Sequence, residues 1–142
     1  MARSVSYTAR FQNLSQRIAR GVEKAIQEAS RGVLESVARG TPADTSRAIS
    51  NWTVTLGSPS SAYRGPYIPG SGGSTKSINA ETTIRAGLPT IMSARLTDVV
   101  YIVNNAPYII ELEYGKSSQA PSGFVQQALV AGVTRVRAAK VF

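Results

Sequence analysis

The sequence predicts an α+β fold, a long N-terminal helix and a C-terminal helix packed on a small antiparallel sheet, with a long loop insertion. Three observations predict it. Apolar residues recur at steps of three or four over residues 8–39, and again near the C-terminus. Two short segments of strand character lie between them. A Gly-, Pro- and Ser-rich stretch at 57–78 interrupts the middle. The 142 residues fit one domain spanning 1–142.

The first helix is read from Phe11, Leu14, Ile18, Val22, Ala25, Ala29, Val33 and Val37, with Ile26 and Leu34 widening the stripe. Arg17, Arg20, Lys24, Gln27, Glu28, Arg31 and Glu35 occupy the opposite face, expected to be mixed and solvated. Gly21 and Gly32 weaken the helix, each by roughly 1 kcal/mol relative to Ala. Gly40 and Pro42 stop it. Some thirty residues at about 1.5 Å each span about 45 Å, against a radius of gyration of about 14 Å for a compact chain of this size. Such a helix either projects from its domain, lies across a neighbour, or bends at Gly21.

Thr41-Pro42-Ala43-Asp44-Thr45-Ser46 reads as a turn, with Asp44 a turn or cap residue rather than a ligand. Trp52, Val54 and Leu56 alternate with Asn51, Thr53 and Thr55, as in a half-buried strand. The 57–78 stretch has no hydrophobic period. It carries Tyr63, Arg64, Tyr67 and Lys76, candidates for ordering against a partner, the alternative being a floppy insertion. Ser77 to Leu88 suits a short helix that Pro89 ends or kinks. Asp98 to Asn104 is apolar on both faces, as in an inner strand. Pro107 suits the first turn of a helix over Tyr108 to Tyr114, which Gly115 ends. Ser122 would cap the last helix, whose face is Phe124, Val125, Ala128, Leu129, Val133 and Val136.

Composition narrows the function. With 42% apolar residues the chain can build a core. No apolar run is long enough to span a membrane, and Arg3 and Arg10 are followed by no apolar segment of a secretory signal. Cysteine and histidine are both absent, which removes disulfides, thiolate metal sites and the usual general base. No cofactor, metal or enzyme activity is therefore expected. The net charge of +8 suits nucleic acid or an acidic protein surface. Glu23, Glu28 and Glu35 among the helix cations argue against a face that reads DNA.

Two motifs come near to chemistry. Gly70 to Ser77 approaches the phosphate-binding loop in its Lys76-Ser77 end. Thr75 replaces the required glycine, and no buried strand precedes the loop. Glu111 and Glu113 would share a face on a strand and diverge on a helix, so solvated or salt-bridged carboxylates are the expectation.

Between Tyr101 and Gly123 the chain contains Asn104-Asn105-Ala-Pro107-Tyr108, then Leu112-Glu113-Tyr114-Gly115, then Ser117-Ser-Gln119-Ala120-Pro121-Ser-Gly123. This succession resembles the signature of a family of minor tail proteins of long-tailed phages, the tail-completion or head–tail joining proteins similar to the lambda Z-like group. Upstream, Pro42, Asp44, Thr45 and Trp52 resemble the family's turn and following tryptophan, with Ser46 where the family usually has glycine. The resemblance implies a virion protein made in the bacterial cytoplasm. It implies a ring, usually sixfold, between the head connector and the tail tube or its terminator, and no catalysis. In that role Tyr108, Leu112 and Tyr114 would pack sheet against helices, and Asn104 and Asn105 would satisfy turn backbone. Gln119, Ala120 and Pro121 would set the start of the last helix. Arg17, Arg20, Lys24 and Arg31 would be candidates for a lumen that touches genomic DNA transiently. The alternative from a different class is a sequence-independent nucleic-acid-binding protein.

Overall fold

The computed structural model describes residues 2–115 and 123–141. The order of elements is α1 (Ala2–Gly40), α2 (Arg47–Ser50), β1 (Trp52–Leu56), α3 (Lys76–Met92), β2 (Val100–Asn104), α4 (Ile109–Glu113) and α5 (Phe124–Ala139). The expected α+β class is observed, with the long loop between β1 and α3.

Helix α1 has 39 residues, about 58 Å at 1.5 Å per residue. It runs without interruption through Gly21 and Gly32, so the helix is not broken at Gly21. It starts earlier than position 8, because Ala2 to Tyr7 lack any Gly or Pro to stop a helix already propagating from position 8 onward. At its other end Thr41 folds back, its N–H donating to Val37 O at 3.0 Å and its hydroxyl donating to the same carbonyl.

Strands β1 and β2 pair antiparallel, with Trp52 opposite Asn104, Val54 opposite Ile102 and Leu56 opposite Val100. The sheet has two strands, so β2 is an edge and not the inner strand expected. Its inward residues Val100 and Ile102 pack on the core. Residues of the other face are half-buried, and Val99 lies exposed outside the strand.

Helix α3 continues past Pro89 to Met92, so of the two outcomes expected of Pro89, an end or a kink, the end does not occur. Proline cannot donate a backbone hydrogen bond, which costs helix stability. Ile91, fully buried in the core, offsets that cost by about 1.5–3 kcal/mol. Helix α5 begins after Gly123, whose φ of 87° is left-handed. The Ser122 cap expected there lies outside the described residues.

Two apolar clusters make the core. Leu34, Ala38, Ala43, Ile49, Ile84 and Ile91 join α1, α2 and α3. Val37, Trp52, Phe124 and Ala128 join α1, β1 and α5. Ile102 packs against both. Helices α1 and α5 run antiparallel, since Gly40 neighbours Phe124, Gly32 neighbours Gly132, and Glu28 pairs with Arg135.

The 57–78 stretch is shorter than predicted, because α3 already starts at Lys76. Its fold is fixed by the chain's own side chains. Asn51, which is buried, accepts from Arg64 N at 2.9 Å and donates to Arg64 O at 2.8 Å. Asn79 accepts from Ile68 N at 2.9 Å and donates to Ile68 O at 2.8 Å. Asp44 accepts from Gly72 N at 2.6 Å, and Asn105 donates to Ser60 O and Ala62 O. Each bond takes a loop backbone group that would otherwise need water.

Candidate functional site: an uncovered helical arm and a signature-lined groove

Helix α5 and the chain beyond it cover α1 only as far as its middle, where Val141 lies beside Leu14, Ile18 and Gly21. Toward its N-terminus α1 is an arm. Phe11, Leu14 and Ile18 form one apolar stripe along it and are 71%, 50% and 48% exposed. An apolar stripe left in water on a regular helix is the pattern of an interaction surface. Among the described residues, the shallow hollow beside it is lined by Arg17, Arg20 and Lys24 and by no carboxylate.

The four candidate lumen cations separate. Arg17, Arg20 and Lys24 are exposed and make no ion pair among the described residues. Arg31 instead pairs with Glu35 at 3.1 Å. Further along, Glu28 and Glu35 receive Arg135 of α5 at 2.6 and 3.2 Å. This stretch of the polar face of α1 is therefore covered by α5, not solvated as expected. The sequence could not show this, because Arg135 is far away in the chain.

The signature residues converge on the other end of α1. Trp52 Nε1 donates to Thr41 Oγ1 at 2.8 Å in the core. Asn104 donates to Ala48 O at 2.7 Å and accepts from Ala106 N at 3.0 Å, so the turn role foreseen for the asparagines is observed. Pro42 is buried, whereas Thr45 and Pro107 are exposed. Gly115 has a φ of 91°, which only glycine adopts freely. Ser46 has a φ of 65°, the left-handed conformation that glycine adopts most freely. Its hydroxyl lies 3.0 Å from Thr75 Oγ1. Gln119 and Pro121 lie outside the described residues.

Glu113 accepts from Val125 N at 2.8 Å, while its own carbonyl accepts from Gly123 N at 2.9 Å. The residue before α5 is glycine and has no side chain to cap the helix. Glu113 supplies the missing cap, and its charge complements the positive end of the helix dipole. Glu111 points away on α4 and is exposed, so the two carboxylates do not form a pair.

Trp52, Asn104, Glu113 and Tyr114, all signature residues, line one groove with Ile110 and Val125, enclosing about 410 Å³. Its described lining holds one carboxylate and no cation. Two of its walls are open to water: Ile110 is 66% exposed and Tyr114 is 77% exposed. Tyr114 therefore does not pack sheet against helices as expected, because α4 turns its 110/114 face outward. Leu112 does pack, against the Trp52 cluster.

Of the loop residues expected to meet a partner, Arg64 sets its guanidinium 3.6 Å from the Tyr67 ring centre. Tyr67 N donates to Ser50 Oγ, and Lys76 starts α3. Tyr63 stands beside Tyr108, whose phenol is raised above its ordinary value first by burial and then by Tyr63. The Gly72 and Gly73 amides of the near phosphate-loop motif are bonded to Asp44. No group of acidic residues suited to a metal occurs among the described residues, and no helix among them is long and apolar enough to cross a membrane.

No family model matches the chain, and neither the curated proteins nor the solved structures contain a match to it.

Proposed function

We propose that this chain is a self-assembling structural subunit without enzyme activity. In particular, we read it as a tail-completion or neck protein of a tailed bacteriophage. It would form a ring, on the resemblance a hexamer, that joins head connector to tail tube and lets DNA pass. The uncovered Phe11–Leu14–Ile18 stripe carries this reading, since a folded subunit gains nothing from presenting it to water. The resemblance of the segment from Asn104 to Gly123 supplies the particular setting.

Native mass measurement across a concentration series, with imaging of the assemblies, tests the reading. A ring is expected, and Leu14→Ser together with Ile18→Ser should abolish it while leaving the monomer's melting unchanged. A chain that stays monomeric at every concentration and is absent from purified particles sinks it.

Arg17, Arg20 and Lys24, without ion-pair partners among the described residues, favour a second reading as a sequence-independent nucleic-acid binder. Gel shifts at two salt concentrations separate the two. Tight, steeply salt-dependent binding by the monomer supports the second.

A further inference from the structure

The arm and the groove complement each other, and one chain cannot bring its own pair together. The arm offers an apolar stripe beside a hollow whose described lining holds three cations and no carboxylate. The groove offers apolar walls with one carboxylate and no cation among its described lining residues. In a chain of net charge +8, a surface hollow whose described lining holds a carboxylate and no cation suits a cationic helix. The groove sits beside Trp52, which is bonded to Thr41 at the C-terminal end of α1. Leu14 lies about 40 Å away along the same unbroken helix, at 1.5 Å per residue. A continuous helix cannot fold back over that distance, so an arm seated in this groove belongs to another copy.

We propose that the Phe11–Leu14–Ile18 stripe of one copy docks in the Ile110–Tyr114 groove of the next copy. The assignment rests on the self-assembling reading above and names the two surfaces that reading needs. Ile110 on α4 and Tyr114, which caps its C-terminal end, are one turn apart, Tyr114 N donating to Ile110 O at 3.1 Å, so an apolar helix laid on them meets two anchors. Donor and acceptor are different surfaces at opposite ends of α1. The contact is therefore head-to-tail, each copy giving an arm and receiving one, and a ring follows when the rotation closes.

The chain contains no cysteine, which permits a direct test. Leu14→Cys and Ile110→Cys are each exposed sites, so neither substitution empties the core. The two full-length variants are mixed, oxidised mildly and mapped by peptide mass, with Leu14→Cys plus Val130→Cys as the rival pair. Val130 is equally exposed, on the outer face of α5. The 14–110 disulfide should form at least tenfold faster than the 14–130 disulfide or either self-pair. Assembly that persists while Leu14 cross-links to Val130, or equally to both, overturns the groove but leaves the ring reading standing. Absence of any assembly by native mass, with no preferred cross-link, overturns both.

Discussion

Gly32 of α1 and Gly132 of α5 face each other where the two helices cross, and neither position has room for a side chain. A Cβ on Gly32 would stand 3.0 Å from Ala131 O and from the Gly132 Cα, and one on Gly132 would stand 2.9 Å from Val33 Cγ2 and 3.0 Å from Ala29 O. Apart from the Val33 methyl the obstacles are backbone, which cannot move aside without shifting a helix. In an exposed helix, Gly→Ala gains about 1 kcal/mol. Here the sign reverses, and Gly132→Ala should lose about 1–3 kcal/mol through overpacking. Thermal melting checks it, with Gly65→Ala, where an added Cβ meets nothing within 4 Å, as the neutral control.

The Trp52–Thr41–Val37 relay makes a second expectation. Thr41→Val keeps the volume but leaves the buried indole N–H without its acceptor. The expected loss is about 1–3 kcal/mol by urea unfolding. Trp52 is the chain's single tryptophan, so its emission should shift in the folded variant while Thr41→Ser stays close to the parent.

Asn79 holds the loop between β1 and α3 to the core through both atoms of its amide. It donates to Ile68 O and Thr75 O, and accepts from Ile68 N and Ser50 Oγ. Asn79→Leu should raise amide exchange across 57–75 by at least tenfold while α1 and α5 stay protected. Equal exchange throughout the chain would show that the loop does not depend on this anchor.

Tyr108 gives a pH expectation. Burial first and Tyr63 second raise its pKa from 10.0, with Arg47 opposing. The folded value lies above the unfolded one, so the folded state holds this proton more tightly. That contribution is present in full below pH 10.0 and is lost as pH rises through the folded value. Stability should therefore fall on the alkaline side, less steeply in Tyr108→Phe. Absorbance at the tyrosinate band should show one tyrosine titrating late in the parent and not in the variant.

Much of the fold was legible because it rests on local periodicity. The stripe from Phe11 to Val37, the alternation at Trp52–Leu56, the Gly40–Pro42 stop and Pro107 before α4 each carry their signal within a few residues. That Trp52, Asn104 and Glu113 come together was not legible. Pro89 misled because its penalty is local while the burial of Ile91 that outweighs it is not. Asn51 was placed on the outer face of a strand, since nothing near it announces that its amide will hold Arg64. Glu113 as the cap of α5 had no sequence signal at all, because its partner Val125 lies beyond the intervening turn.

The amino-acid order by itself determined a chain without thiol or imidazole chemistry, strongly basic, led by a helix longer than its domain. Only the tertiary structure decided which part of that helix is covered. Helices α3 and α5 pack on the C-terminal part of α1, so the same apolar repeat is core at Leu34 and Val37 and surface at Phe11 and Leu14. Periodicity records that a face is apolar. What buries that face depends on segments distant in the chain, and the physics that brings them together acts through space.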